Sequence, residues 1–292
     1  MQRHSNPTPL FSFIIPTSLE TSVVDAVYSI LRSSTFREDV EIVVVVNNAP
    51  HIFFAELENE FRRYKEVVSF VLEGASTIGK ARNAGIERAK GRYLIHIDAD
   101  CIIGKHYIEN LRQRVAEDFS VANGKVCFKN ERNCILGESN RALRELAYFS
   151  RKSVAYTPNL IIRSDVQSKF LFDGSIFHGE DTELSVRLSR SGLDHFYFED
   201  LVITHIDNDN SIQIFNKYLY YGVTRTYRFK KWRKSESTLE FYFRLFDEIP
   251  DIREKRFFTK LGIMALYILR DIGVLYGLFK WRRLESPSVV SQ

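Results

Sequence analysis

The chain has 292 residues, of which 45% are hydrophobic and 27% are charged. These values are typical of globular proteins and exclude a disordered or fibrous chain, and the length allows one large domain or two smaller ones. The three cysteines form no CxxC pair, and an odd number fits neither a disulfide framework nor a structural zinc site. A reducing compartment is therefore expected.

The net charge of +4 is unevenly distributed along the chain. Residues 1–210 carry 25 Lys and Arg against 29 Asp and Glu, whereas residues 211–292 carry 16 against 8. A basic tail indicates an anionic partner, such as membrane headgroups, nucleic acid or a phosphorylated acceptor, or else a solvated helix face. The shift in composition predicts two domains, residues 1–210 and residues 211–292.

Two features of the sequence argue against secretion and against a membrane crossing. Pro16 lies within the only apolar run near the N-terminus, and no small-residue cleavage site follows, which predicts a cytoplasmic chain. The most apolar stretch, residues 261–279, is divided by Arg270 and Asp271, and neither half reaches the roughly 20 residues that span a bilayer.

Short β-rich runs alternate with amphipathic stretches over the first 130 residues. The runs are Phe11–Ile15, Glu41–Val46, Val67–Leu72 and Arg92–Ile97. Apolar residues at helical spacing lie between the runs and would pack on the sheet. The pattern predicts βαβ units, and therefore an α/β fold with a largely parallel sheet flanked by helices.

Beyond Asp100 the periodicity is weaker. We expect a helix near Tyr107–Glu117, extended segments near Val121–Phe128 and Tyr156–Arg163, and a helix that opens at Asp181. The segment from residue 130 to residue 153 has two interpretations. It is either a loop that binds an acceptor substrate and becomes ordered when a donor substrate binds, or a solvated connector.

The tail from Ser211 onward has the pattern of helices only. Its last helix, about Phe257–Lys280, carries an apolar stripe and ends in basic residues around Trp281. This pattern is typical of an interfacial membrane helix, but a helix docked on the domain's own core or on a second subunit has the same pattern. Peripheral membrane contact through residues 211–292 is therefore one of three alternatives, and the oligomeric state stays open.

Two carboxylates follow the fourth β-rich run directly, in the segment RYLIHIDAD that ends at Asp100. In an extended chain Asp98 and Asp100 share a face, and the carboxyl end of a strand in an open α/β sheet faces the ligand crevice. Two hard oxygen ligands there suit Mg²⁺ or Mn²⁺ that holds a diphosphate. A second pair, in Asp207-Asn208-Asp209, lies in a polar cluster that is typical of a turn or a helix cap.

Glu180 and Asp181 open the amphipathic stretch 184–190. Acidic residues at a helix N-terminus are most often caps or partners of the helix dipole. A carboxylate on a second element can also act as a general base that takes a proton from a substrate hydroxyl, separate from the carboxylates that hold a metal. Both residues are therefore candidates for that base.

Four segments, in this order, resemble the family 2 glycosyltransferases with the GT-A fold: FSFIIPT, EIVVVVNNA, STIGKARNAGIERAKGRYLIHIDAD and FDGSIFHGEDTELSVRLSRSG. The resemblance covers about residues 11–210. It implies transfer of a sugar from a nucleotide diphosphate sugar to an acceptor hydroxyl, with inversion at the anomeric carbon and without a covalent enzyme intermediate. It also implies a divalent metal cofactor, Mn²⁺ or Mg²⁺.

The resemblance implies roles for the acidic residues and for one histidine. Asp100 would reach the metal ion, and Asp98 would face the nucleotide's ribose or the metal shell. Asp181 matches the family's catalytic base, with Glu180 beside it. His205 resembles the histidine that in some members completes the metal site or contacts the diphosphate, although a lone histidine is more often structural.

Four further residues would bind the donor nucleotide. Pro16 and Thr17 end the first strand where the family wraps the nucleobase, and Arg82 stands at the family's ARN position near the base and phosphates, unless it is a surface helix residue. Many members have an aspartate after the second strand that accepts a nucleobase N–H, whereas this chain has Asn47 and Asn48. An amide oxygen, as in Asn47, can still accept this bond, without the assistance of charge. Leu19 stands where the family often has an aromatic residue that stacks on the base.

Other classes of protein fit the sequence less well. A dinucleotide-dependent dehydrogenase needs glycines after the first strand, and a P-loop nucleotide hydrolase needs GKS or GKT; neither pattern is present. A non-catalytic GT-A-like scaffold at the membrane surface is the alternative to the enzyme. For the enzyme we expect a saccharide or lipid-linked saccharide acceptor at the inner face of the cell membrane, in polysaccharide or glycolipid assembly, and no nucleic acid partner.

Overall fold

The structure is a computed structural model that describes residues 8–33, 39–74, 77–130, 135–150, 155–232 and 257–280. Its contacts divide the chain into two compact units. The first unit comprises Met1–Lys129 and Arg151–Ile206, and the second comprises Asn130–Ser150 and Asp207–Gln292. The sequence-based domain boundary after residue 210 stays a prediction; in these contacts residues 130–150 group with the tail.

The N-terminal half of the first unit forms the predicted βαβ units. The four strands are β1 (Phe11–Thr17), β2 (Val40–Asn47), β3 (Val68–Glu73) and β4 (Tyr93–His96). The helices between them are α1 (Val23–Ser33), α2 (His51–Glu60) and α3 (Ile78–Arg88). β1 pairs in parallel with both β2 and β4, and β2 pairs in parallel with β3. Each of the four β-rich runs is thus confirmed as a strand.

The remaining strands extend the same sheet with antiparallel pairs. They are β5 (Cys101–Ile103), β6 (Val121–Asn130), β7 (Leu160–Arg163) and β8 (His195–Asp207). The eight-stranded sheet has the order β3-β2-β1-β4-β7-β6-β8-β5, with β4–β7, β6–β7 and β5–β8 antiparallel. Helices α4 (Tyr107–Arg114), α6 (Ser164–Gln167) and α7 (Glu180–Arg190) complete this unit.

The close approach of α3 to the sheet depends on a glycine. All seven residues of β1 are buried, as expected for a strand covered on both faces. A Cβ atom at Gly85 would lie 2.5 Å from Ile14 Cγ2 and 3.0 Å from Val45 Cγ2, so a larger residue would push α3 away from β1 and β2. This packing brings the buried face of α3, which includes Arg82, close to the carboxyl end of the sheet.

Apart from the last residues of β6 and β8, the regular structure in the described part of the second unit consists of helices. These are α5 (Ile135–Ser150), α8 (Ser211–Trp232) and α9 (Phe257–Lys280). α8 and α9 pack at glycines: a Cβ atom at Gly273 would lie 2.0 Å from Leu219 O. Within the segment 130–153, residues 135–150 form helix α5 and not the loop or connector expected there. The side chains of the basic cluster from Arg228 to Lys234, and the residues around Trp281, lie outside the described part.

The expected last helix, about Phe257–Lys280, is confirmed as α9. Arg270 and Asp271 do not divide its apolar stretch into two short halves, which corrects that part of the expectation. α9 runs through both residues, which form an ion pair with each other (Nη2–Oδ1 2.8 Å). By length and composition alone, Phe257–Leu278 could cross a membrane, and 33% of its most apolar 18-residue window is buried within the structure. Core helices of soluble proteins share this length and composition.

Candidate active site

The two carboxylates of the segment Asp98-Ala99-Asp100 lie at the carboxyl edge of the sheet. β4 runs parallel to β1, and the N–H of Ile97 still donates to the carbonyl of Ile14 (3.2 Å). The chain then turns, with the N–H of Cys101 donating to the carbonyl of Asp98 (3.1 Å), and enters β5. Because parallel strands end at the same edge, this turn lies beside the ends of β1 and β2.

The pairing of β5 with β8 brings His205 to the two carboxylates. Cys101 is directly opposite His205, and the N–H of Ile206 donates to the carbonyl of Asp100 (2.8 Å). His205 Nε2 lies 3.3 Å from Asp100 Oδ1 and 3.9 Å from Asp98 Oδ2. The structure thus brings together the three residues that the sequence predicts as metal ligands.

The candidate metal-ligand atoms around this turn are close enough to bind one metal ion together. Asp98, Asp100, Cys101 and His205 each offer a ligand atom, and these atoms all lie within 4.8 Å of one another. Carboxylate oxygens with an imidazole nitrogen suit Mn²⁺, and the carboxylates alone suit Mg²⁺. The sequence analysis missed Cys101, whose proximity depends on the pairing of β5 with β8; a thiolate is a soft ligand that neither ion prefers.

Arg82 joins the Asp98 carboxylate to a second acidic element. Its Nη2 donates to Asp98 Oδ1 (2.6 Å), and its Nε lies 3.6 Å from Glu180 Oε1. The guanidinium lies over the ring of Phe172, 5.7 Å from the centroid, and Arg82 is 1% exposed. The alternative that Arg82 is a surface helix residue is therefore wrong. Its Nε and Nη1 are buried without a hydrogen-bond partner, which is rare for donors in a protein interior.

The charges around Arg82 maintain it as a cation. Burial lowers the pKa of the Arg82 guanidinium, but the negative charges of Asp98 and Glu180 outweigh burial, and the net pKa is raised. Asp181 adds a smaller contribution in the same direction. Carboxylates from both acidic motifs, which are far apart in the sequence, therefore raise the pKa of Arg82.

Glu180 and Asp181 begin α7 after Gly179, whose φ of +77° lies in the left-handed region that favours glycine. Glu180 is buried, and burial together with the charge of Asp181 raises its pKa to about 7, against the opposing effect of Arg82. Asp181 is half-buried, and its Oδ1 accepts a hydrogen bond from the N–H of Thr182 (2.6 Å). The structure thus places Glu180 inward against Arg82, with the more exposed Asp181 beside it.

The residues expected to surround the nucleobase lie at the ends of two neighbouring strands. Pro16 and Thr17 end β1, and Asn47 ends β2, which pairs in parallel with β1. Asn47 Oδ1 is buried without a hydrogen-bond partner, so this acceptor is available to a ligand N–H. Thr17 Oγ1 donates to Glu20 Oε2 (2.9 Å), so Glu20 also lies beside the end of β1.

The second acidic pair has a structural role, as its turn-like composition predicts. Asp207 Oδ2 accepts a hydrogen bond from Asn140 Nδ2 (2.6 Å) and lies 3.2 Å from Arg144 Nη1. Asp209 Oδ2 lies 2.5 Å from Lys217 Nζ. Both carboxylates are thus occupied by basic or amide groups within the helical unit.

The Arg82→Met variant is expected to be strongly destabilised, and more so at alkaline pH. Removal of one partner of a buried ion pair typically costs about 3–5 kcal/mol, because the remaining charges lose their compensation. Without Arg82, the pKa of Glu180 rises further. A carboxyl with a raised folded-state pKa contributes stability that is present below its unfolded pKa and is lost as the pH rises through the folded pKa. The destabilisation should therefore be larger at pH 8 than at pH 5.

Urea unfolding of the metal-free protein at the two pH values measures this difference. Arg88→Met is the matched control, because Arg88 lies on the same helix and is exposed. It should cost little at either pH. An Arg82→Met variant whose loss of unfolding free energy were equal at pH 5 and pH 8 would contradict the assigned coupling with Glu180.

Comparison with known proteins shows the family of the chain and its fold. The family model described as Glycosyl transferase family 2 matches residues 12–174. Glycosyltransferase AglE of Haloferax volcanii is 24% identical over 205 residues, which cover 68% of this chain and 67% of AglE. Glycosyltransferase MJ1057 of Methanocaldococcus jannaschii is 23% identical over 242 residues, which cover 76% of this chain and 81% of MJ1057.

Two solved structures share the fold at low sequence identity. Mannosyltransferase PcManGT from Pyrobaculum calidifontis, in complex with GDP-Man and Mn²⁺, superposes with a TM-score of 0.60 at 13% identity. The superposition covers 94% of this chain and 75% of the PcManGT chain. GalNAc-T7 with UDP, GalNAc and Mn²⁺ has a TM-score of 0.57 at 14% identity and covers 82% of this chain and 54% of its own. The fold is therefore GT-A, and the chain belongs to glycosyl transferase family 2 and is a glycosyltransferase.

Proposed function

We propose that this glycosyltransferase is metal-dependent and moves a sugar from a nucleotide diphosphate sugar to an acceptor hydroxyl with inversion at the anomeric carbon. The observation that carries the proposal is the convergence of Asp98, Asp100 and His205 at the carboxyl edge of the sheet, with Arg82 bridging Asp98 to Glu180. The presence of Mn²⁺ with nucleotide or nucleotide sugar in PcManGT and GalNAc-T7 supports it.

The residues at the β4–β5 turn fit a divalent cation and a diphosphate. Asp98, Asp100 and His205 would hold Mn²⁺ or Mg²⁺, which when bound acts as a Lewis acid that offsets the charge of a departing nucleoside diphosphate. Arg82 orients Asp98 through the hydrogen bond from its Nη2 to Asp98 Oδ1. Its buried Nε and Nη1 supply further positive charge close to the site.

Asp181 is proposed as the general base. Its carboxylate takes the proton of the acceptor hydroxyl as the acceptor oxygen bonds to the anomeric carbon. The bond from that carbon to the diphosphate oxygen breaks in the same displacement, and the nucleoside diphosphate leaves with the bonding electron pair. Glu180, buried beside Asp181, positions α7 through its ion pair with Arg82.

The ends of β1 and β2 form the proposed nucleobase site. Pro16 and Thr17 border it, and the buried Oδ1 of Asn47 accepts a ring N–H of the base. Uracil, thymine and guanine each carry such a ring N–H, whereas neutral cytosine does not. The unpartnered acceptor therefore favours the first three bases over cytosine.

The acceptor is proposed to be a saccharide or a lipid-linked saccharide in cell-surface polysaccharide or glycolipid assembly. The support is the excess of positive charge in residues 211–292, which suits peripheral contact with the inner face of the cell membrane. A cytoplasmic location with such contact would keep the site near a lipid-linked acceptor.

Calorimetric titration of UDP, GDP, dTDP and CDP, and then of their sugars, tests the proposal. We expect binding that requires Mn²⁺ and disappears with chelator, with CDP the weakest of the four. Asn47→Ala should weaken binding of the preferred nucleotide by about 3–10-fold, the usual effect of one lost neutral hydrogen bond. Absence of binding by all four nucleotides would favour the non-catalytic scaffold instead.

A further inference from the structure

One side of α9 is exposed and apolar along its whole described length. Except for two pairs of adjacent residues, successive exposed positions are separated by three or four residues, so they form one stripe along the helix. They are Phe257, Phe258, Leu261, Met264, Ile268, Ile272, Leu275 and Tyr276, with exposed fractions from 46% to 68%. Between Phe257 and Leu278, the part of the helix whose side chains are described, no exposed position carries a charged residue.

The opposite side of α9 packs within its own helical unit. Ile263, Leu266 and Val274 are fully buried, and Gly273 allows the backbone of α9 to approach Leu219 of α8. The charged residues are half-buried at the flanks of the stripe, where Arg270 is paired with its neighbour and lies over the ring of Tyr267 (4.3 Å). α9 thus has one satisfied face and one apolar face in contact with solvent.

An exposed stripe of this size indicates a binding partner. A helix of 24 residues is about 36 Å long at about 1.5 Å per residue. Soluble monomers rarely expose a continuous apolar patch of more than a few hundred Å² unless it binds something. The partner must match eight large apolar side chains in one row.

We infer that α9 lies in the plane of a membrane, with its exposed stripe among the acyl chains and its basic surroundings at anionic headgroups. This inference rests on the membrane contact proposed for residues 211–292 and deepens it by assigning the contact to one face of one helix. It does not depend on the transfer chemistry.

Charge favours a lipid surface as the partner. Residues 211–292 carry 16 basic against 8 acidic residues, and basic residues occur in the sequence on both sides of α9, in Arg253–Arg256 and in Lys280–Arg283. Each basic residue near an anionic surface adds about 1 kcal/mol of attraction. Basic residues at both ends also suit a helix whose two ends lie on the same side of the bilayer, as in an interfacial helix.

The positive charge at both ends of α9 makes pairing with the α9 helix of a second copy less favourable than binding to an anionic membrane. Whether two α9 helices were to associate in parallel or antiparallel, each basic end would lie against another basic end. A helix that crosses the bilayer would also have to bring lipid to its second face, which instead packs on α8. The in-plane position leaves that packing intact.

Vesicle flotation of the full chain tests this inference. We expect wild type to float with phosphatidylcholine vesicles that contain phosphatidylglycerol, and much less with phosphatidylcholine alone. The double variant Ile268→Glu, Ile272→Glu should bind anionic vesicles at least about tenfold more weakly, because two large apolar side chains no longer insert. Ile52→Glu is the matched control: Ile52 is 69% exposed on α2, and the variant should float like wild type.

Several results would overturn the inference. Wild type that stays in solution beside anionic vesicles, or a double variant that floats as well as wild type, removes the assigned face. Dimeric wild type and monomeric double variant by light scattering would assign the stripe to a second copy. Retention of the cell-expressed protein in membranes after carbonate extraction would show that α9 crosses the bilayer.

The same preparations distinguish failure of this inference from failure of the proposed function. Metal-dependent nucleotide binding without flotation would refute only the membrane face, whereas flotation without nucleotide binding would refute only the donor site. A thermal melt of the double variant that matches wild type shows that both glutamates are tolerated at these exposed positions.

Discussion

Replacement of Asp100 by alanine is expected to lower kcat by at least about 10²–10³-fold and to abolish the dependence of donor binding on Mn²⁺. Loss of one group that stabilises developing charge typically costs this much, and Asp100 also supplies a ligand for the ion. Its Oδ1 is 3.3 Å from His205 Nε2. The candidate metal-ligand atoms of Asp98, Asp100, Cys101 and His205 all lie within 4.8 Å of one another. Donor titration with and without chelator, combined with initial rates, measures both effects.

The chain provides its own control for this variant. Asp209→Ala makes the same substitution in the second acidic pair, where the carboxylate is 2.5 Å from Lys217 Nζ in the helical unit. Asp209→Ala should retain metal-dependent donor binding and wild-type kcat. If Asp100→Ala were to keep both properties while Asp209→Ala lost them, the metal site would have been assigned to the wrong pair.

Asp181→Asn is expected to lower kcat by about 10²–10⁴-fold, the usual contribution of a general base, while the donor Kd changes little. The amide keeps the size of the side chain but cannot take the acceptor proton. The rate should also lose the rise with pH that reports ionisation of the base. Initial rates over a range of pH, with donor affinity measured on the same protein, separate the chemical step from binding.

Glu180→Gln is the comparison that separates the two adjacent carboxylates. Glu180 is buried, with its pKa raised to about 7 by burial and by Asp181, and it faces Arg82. Its amide can remain close to Arg82, so a positioning role predicts a smaller fall in kcat than for Asp181→Asn. A larger fall in Glu180→Gln, together with loss of the pH dependence, would transfer the role of base to Glu180.

The position of Arg82 explains how the two acidic motifs come together in the fold. The motif at Asp98 ends a strand, the motif at Glu180 begins a helix, and the single buried guanidinium contacts both carboxylates. Without this cation, the acidic groups would repel one another in a poorly solvated region. A change at either motif is therefore expected to affect the other through Arg82.

Local pattern was sufficient to predict the strands and the acidic turn. The four β-rich runs are continuous and apolar, which is the pattern of strands buried on both faces, and all four form the parallel part of the sheet. Once β4 is known to end before Asp98, the carboxylates must lie at the edge where α/β sheets bind ligands. These conclusions depend only on nearby residues, which the sequence displays directly.

The burial of Arg82 could not be predicted in this way. An arginine on a short helix usually faces solvent, and the alternative of a surface residue stays open in the sequence. Its burial depends on Gly85, which lets α3 approach β1 and β2, and on Glu180, which lies nearly a hundred residues further along the chain. A cation is stable there only because the folded chain supplies two carboxylates.

The class of fold, the family, and the acidic residues at the end of β4 and at the start of α7 could all be predicted from the amino-acid sequence. Which side chains lie in contact follows from the packing of the folded chain. His205 and Cys101 reach Asp100 through antiparallel pairing of β5 with β8, and Arg82 reaches Glu180 through the packing of α3 and α7 in one unit. The physical reason is that strand and helix patterns are local along the chain, whereas a site depends on contacts between distant segments that only packing creates.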